Sequence, residues 1–167
     1  MKSGQPITPR IHPSMTVNRD IEASILDSKP VRETIAGLGQ KEDWEELWKI
    51  ADSMSREVSV LFDAVGDVWV DIGTAGHVSL SPPHGAQIPF RLWVHTHPWD
   101  PYWSQTDKDT LACYSAILES ALVLGHDRMK WSRNGPSPES IKTTGPLSNW
   151  SSEPCEYYAQ NPEKGGD

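Results

Sequence analysis

The chain has 167 residues, long enough for one domain with a sizeable core and short for two. Hydrophobic residues make up 37% of it, eight tryptophans supply much of the large apolar volume, and no run approaches the roughly 18 apolar residues of a membrane span. A formal net charge of -8 with no basic stripe argues against a nucleic-acid partner held through its phosphates.

The opening MKSGQPITPRIHPSM has a lysine but no apolar run after it, so a signal peptide is not expected. Residues 1–17, rich in Pro, Ser and Thr, are expected to form an irregular arm. Asn18 is placed to cap a short helix over 19–27, with Ile21 and Ile25 on one face. Residues 29–39 are less decided, and Gly37 and Gly39 favour an exit or loop. Over 41–56 the pattern is clearer. Trp44, Leu47, Trp48, Ala51 and Met54 return every three or four residues, Glu45 and Lys49 add an i,i+4 pair, and the spacing predicts an amphipathic helix packed on a sheet.

The period then becomes that of strands. Residues 57–63 are a short, largely apolar run, Gly66-Asp67 reads as a turn, and 68–72 continues as a second strand. A loop over 73–77 leads to a candidate third strand over 78–80. Residues 81–89, with three prolines and a glycine, have no regular structure, and 90–95 resumes as a strand. Beyond the aromatic loop 99–106, Thr106 or Asp107 starts a helix expected to reach about residue 122, with Leu111, Tyr114, Ser115, Leu118 and Leu122 along its inner side. Residues 122–124 and 128–131 are further candidate strands. In the polar remainder, Trp150, Tyr157 and Tyr158 are candidate anchors, and the closing EKGGD is expected to be disordered.

With no internal repeat and no convincing linker, the expected organisation is one α+β domain over 18–150, between the arm over 1–17 and an irregular, partly disordered tail over 151–167. Cys113 on a helix and Cys155 in the tail read as two free thiols of a reducing compartment, the alternative being a single disulfide. A cytoplasmic location is the matching expectation.

The informative stretch runs from Trp93 to Asp107. His95 and His97, one residue apart at a strand end, point to the same side, so both imidazoles can face one ion. A carboxylate at the mouth of the next helix, Asp107, can close the set. Two nitrogens, one oxygen and an open position form a normal catalytic zinc shell. A glutamate outside that shell would serve as general acid/base. Asp107 also has a plain structural role open to it, capping the first turn of its helix. Trp99, Tyr102 and Trp103 either line a substrate groove or serve as core, and Asp100 before Pro101 reads as a turn residue. His12, His77, His84 and His126 read as surface or satisfied core histidines.

This segment resembles the JAB/MPN metalloprotease family with its JAMM motif: an upstream Glu, then His-x-His-Pro, Ser and Asp. The likeness covers roughly residues 56–124. It implies a layered fold with a central mixed β-sheet flanked by helices, similar to cytidine deaminases. It implies Zn2+ held by His95, His97 and Asp107, with Ser104 steadying the water and oxyanion, and Glu57 as general acid/base. The activity implied is hydrolysis of a peptide or isopeptide bond through a metal-activated water, as in deubiquitinating isopeptidases. The partner implied is a protein or peptide substrate, a ubiquitin-like conjugate among the candidates, and neither a membrane nor a nucleic acid. Small prokaryotic, archaeal or phage JAB proteins are the nearest type.

The sequence departs from the pattern in two places. The family's second histidine and aspartate stand eleven positions apart, whereas His97 and Asp107 are ten apart, although Ser104-Gln105-Thr106-Asp107 keeps the internal Ser-x-x-Asp spacing. Asp109 is therefore the fallback ligand. The small, glycine-containing residues that follow the family's Glu are replaced here by Val58-Ser59-Val60. The alternatives are a JAB-fold binding or assembly protein without activity, a RadC-like protein of DNA metabolism, and a deaminase-like metal hydrolase. The last would want a Pro-Cys-x-x-Cys pair, which the chain lacks.

Overall fold

The computed structural model describes residues 5–74, 76, 80, 82–136 and 138–158. The order is α1 (Ser14–Glu22), α2 (Lys29–Gln40), α3 (Trp44–Met54), β1 (Val58–Phe62), β2 (Val68–Ile72), β3 (Leu92–Thr96), α4 (Gln105–Cys113), β4 (Ser120–Leu124), β5 (Arg128–Arg133) and β6 (Cys155–Tyr157), with a 3-10 turn at Pro146–Asn149. The fold is α+β: one mixed sheet in the order β2-β1-β3-β4-β5-β6, flanked by helices. Only β3 and β4 run parallel, and α4 forms part of the crossover between them. No helix among the described residues is long and apolar enough to cross a membrane.

Strand alternation divides the core in two. Val58, Val60, Val94, Leu122 and Leu124 face Val31, Ile35, Leu47 and Trp48 of α2 and α3. Leu61, Trp93, Ala121 and Val123 face the other way, onto Trp103, Leu111, Leu118, Leu147 and Trp150. Helix α3 follows the expected face, with Asp43 accepting from Glu46 N as its N-cap and Ser55 ending it in a left-handed conformation.

Several elements differ from expectation for local reasons. Residues 29–40 form a full helix capped by Ser28. Its glycines serve contact: a Cβ on Gly37 would stand 2.9 Å from Ile11 Cγ1, and one on Gly39 would stand 3.1 Å from Phe62 Cζ. Helix α1 begins at Ser14, behind Pro13, so Asn18 lies inside it. Helix α4 stops at Cys113, far short of residue 122, because Leu118 bridges Phe90 and Ser120–Leu124 is drawn into the sheet beside β3. The candidate strand over 78–80 falls largely outside the described residues, as does His77.

Both ends of the described chain are tied down. Ile7 pairs with Val68 of β2, and Cys155–Tyr157 adds an edge strand to β5 within the stretch expected to be irregular. Trp150 is fully buried, its Nε1 donating to Leu111 O at 3.1 Å, and Tyr158 Oη donates to Gly125 O at 2.7 Å, while Tyr157 stays exposed. Cys113 and Cys155 are both free and exposed.

Candidate metal centre

The end of β3 carries the two histidines on the face that holds Trp93. His95 is 1% exposed and His97 is 7% exposed. Asp107, in the first turn of α4, comes between them. Its Oδ1 is 3.1 Å from His95 Nε2 and its Oδ2 is 3.1 Å from His97 Nε2. One ligand atom from each residue can be chosen so that all three lie within 4.8 Å of one another. Neighbouring ligands of a tetrahedral ion with 2.0–2.1 Å bonds stand about 3.3 Å apart, so the carboxylate contacts already have the right scale.

The ten-residue spacing therefore still delivers the aspartate. The 98–103 loop crosses the end of β4 at Gly125, where any side chain would collide with it. A Cβ there would stand 2.8 Å from Pro101 N and nearer still to Trp99 O. His126 N donates to Trp99 O at 2.7 Å and fixes the crossing. The loop then hands over to α4 through a capping box: Asp107 N donates to Ser104 Oγ at 3.1 Å and Ser104 N donates to Asp107 Oδ2 at 3.0 Å. Asp107 thus caps its helix and faces the histidines with the same carboxylate. Asp109, the fallback, is exposed and accepts from Gln105 Nε2 at 2.9 Å, outside the cluster.

The donor set suits a cation. Among the described residues, His95 has no hydrogen-bond partner at Nδ1 or Nε2, although Nε2 lies 3.1 Å from a carboxylate oxygen. His97 Nε2, by contrast, is hydrogen-bonded to Asp107 Oδ2 at 3.1 Å, so one of the two contacts is already closed within the protein. Burial pushes the His95 imidazole below its ordinary pKa, more than Asp107 raises it. Burial alone would raise the Asp107 carboxyl, but its contacts with His95 and His97 outweigh this and hold it well below the carboxylate range. A neutral imidazole and an ionised carboxylate are the forms that ligate. The buried group of His95, His97 and Asp107 can hold a metal ion.

Glu57 precedes β1 and is 8% exposed. Ser59 pairs with His95 across β1 and β3, and alternation along the strand puts Glu57, two residues before Ser59, on the histidine face. Its backbone is fixed from β2's exit, with Glu57 N donating to Thr74 O at 2.7 Å and Gly73 N donating to Glu57 O at 2.8 Å. Ser104 stands partly buried at the helix mouth. Of the loop aromatics, Trp103 is core beside His95, whereas Trp99 and Tyr102 are exposed, Tyr102 meeting His97 edge-on at 4.8 Å. Asp100 is exposed and pairs with Arg128 at 3.3 Å.

Supporting contacts went unread in the sequence. Trp48 Nε1, on the predicted core face of α3, donates to His97 O at 2.8 Å. Thr96 Oγ1 accepts from Val58 N at 2.9 Å, and Trp93 Nε1 donates to Ser59 Oγ at 2.8 Å. Alternation alone put Ser59 with Glu57, and Trp93 with His95, on one side of their strands. Only the pairing of β1 with β3 brings the two sets together.

The chain matches no family model, no curated protein and no solved structure.

Proposed function

We propose that this chain is a zinc-dependent hydrolase of the JAB/MPN type, cleaving a peptide or isopeptide bond with Glu57 as general acid/base. A protein or peptide is the substrate, a ubiquitin-like conjugate among the candidates. The observation that carries the reading is the meeting of His95, His97 and Asp107 in a buried cluster despite the shortened loop.

In this reading His95 Nε2, His97 Nε2 and the Asp107 carboxylate hold the ion. Zinc bound there would supply a Lewis acid that acidifies a water and polarises the scissile carbonyl. Glu57 takes the proton of the attacking water on its carboxylate and returns it to the departing amine, serving as base and then as acid. The Ser104 hydroxyl already accepts from Asp107 N, so its own hydrogen is the donor for the oxyanion that develops on the carbonyl. Trp93 and Trp103 cover His95 and keep bulk water from that side of the site.

The test is hydrolysis by zinc-loaded protein of a panel of lysine-linked isopeptides and main-chain peptides, with Glu57→Gln beside the wild type. The reading expects turnover of at least one linkage, lost in Glu57→Gln while zinc stays bound. Zinc-loaded protein that cleaves neither linkage would leave a metal-binding JAB-type scaffold without activity.

A further inference from the structure

His95 is sealed from solvent yet held without hydrogen bonds. Its side chain is 1% exposed, and neither ring nitrogen has a hydrogen-bond partner among the described residues. Metal-ligating histidines ordinarily donate the other ring N–H to a carboxylate, carbonyl or water, which fixes the ring plane and the tautomer. Here the neighbours are aromatic. Trp93, two residues back on the same face, stacks on the imidazole with centroids 4.2 Å apart and planes at 14°. Trp103 meets it at 5.6 Å and 46°.

Trp93 is itself pinned. Its Nε1 donates to Ser59 Oγ at 2.8 Å, and Ser59 is the β1 residue paired with His95. Ser59 stands two positions after Glu57, in the Val58-Ser59-Val60 stretch where the JAB/MPN pattern has small, glycine-containing residues. Among these three residues Ser59 is the one with a side-chain acceptor, and the indole uses it.

We infer that Trp93, keyed by Ser59, is the positioning residue of the metal ligand His95, its stacked indole fixing the imidazole plane in place of a hydrogen bond from Nδ1. The inference rests on the metal-site reading above. It also gives β1 a second purpose, since the strand that begins beside Glu57 sets the ring of a ligand on β3. A purely structural role for Trp93 would lower stability on mutation and leave the geometry of a bound ion unchanged.

Cobalt(II) is the probe, its affinity read by competition with a chromophoric chelator and its coordination by visible absorption. Circular dichroism reports whether each variant is folded. Ser59→Ala frees the indole and is expected to weaken cobalt binding about tenfold, with a changed absorption envelope, whereas Ser59→Thr keeps an acceptor and restores both. Trp93→Phe keeps an aromatic ring but has no Nε1 to donate to Ser59, so it is expected to lose about as much as Ser59→Ala. Trp93→Leu, apolar but unable to stack, loses about 10–100-fold. Ser59→Ala, the milder change, keeps the test decisive if Trp93→Leu does not fold. Wild-type affinity and spectrum in folded Ser59→Ala and Trp93→Leu would overturn the inference while the metal site stood. Wild-type protein that binds no cobalt sensitive to His95→Ala would overturn the metal site and the inference together.

Discussion

The two faces of the central sheet solve burial in opposite ways. Toward α1–α3 the strands present Val58, Val60, Val94, Leu122 and Leu124, and the buried polar groups on that side are matched within the protein. Glu33 Oε1 meets His12 Nε2 at 3.0 Å, and Thr34 Oγ1 accepts from His12 N at 3.0 Å. Toward α4 the same side of the sheet buries His95, His97 and Ser59, with Glu57 just ahead of β1 and Asp107 across from them, and His95 has no hydrogen bond among the described residues. An unsatisfied buried polar group costs about 1–3 kcal/mol. The polar groups of the first face are satisfied within the protein, and on the second a bound ion would offset the cost at His95.

Substitutions on either face test whether the two act independently. The largest effect is expected from Glu57→Gln, which would remove the proposed proton shuttle and lower turnover about 10²–10⁴-fold with zinc content unchanged. An equal loss of zinc and activity would make Glu57 part of the metal shell instead. On the opposite face, Leu47→Ala should cost about 2–5 kcal/mol in denaturant unfolding, because Leu47 is fully buried against α2 and the sheet. The folded protein should keep its metal affinity and turnover, and a coupled loss of affinity would show that the faces are not independent. Gly125→Ala should destabilise by about 1–3 kcal/mol through overpacking against Trp99 and Pro101. It should also weaken metal binding, since the displaced loop leads directly into Ser104 and the α4 turn that carries Asp107.

Acid should act on the metal face. His95 and Asp107 both titrate below their ordinary values in the folded protein, so on acidification the unfolded chain takes up their protons first. The stability they contribute is present above the unfolded values and lost as pH falls, beginning near 6.5 for the histidine and again in the carboxylate range. Thermal melts of metal-free protein between pH 8 and pH 4 should show this decline. Leu47→Ala should shift the whole curve down without changing its slope, while removal of His95 should flatten the upper part.

The legible parts of the molecule were those in which local pattern and tertiary role agree. The helical face of α3, the β1–β2 hairpin and the His-x-His strand could be read because period, turn residues and burial point the same way. The α2 helix was obscured by Gly37 and Gly39, whose small size serves contact with Ile11 and Phe62 rather than a turn. The early end of α4 follows from sheet pairing, which no helical pattern announces. Asp63 was missed as well: its buried carboxylate accepts from Val65 N, Asp67 N and Gln87 N, a cluster joined only once the 82–89 segment returns to β1. At the metal centre the ligand candidates were visible as a motif. Their supports, Ser59, Trp93, Trp48 and Gly125, were not, because each acts across strands or loops far apart in sequence.

The most direct measurement is metal content by elemental mass spectrometry of protein purified without chelator, wild type beside His97→Ala and Asp107→Ala. About one zinc per chain is expected in the wild type and none in either variant. Wild-type protein that stays metal-free even after zinc supplementation, or an Asp107→Ala variant that keeps its zinc, would contradict it.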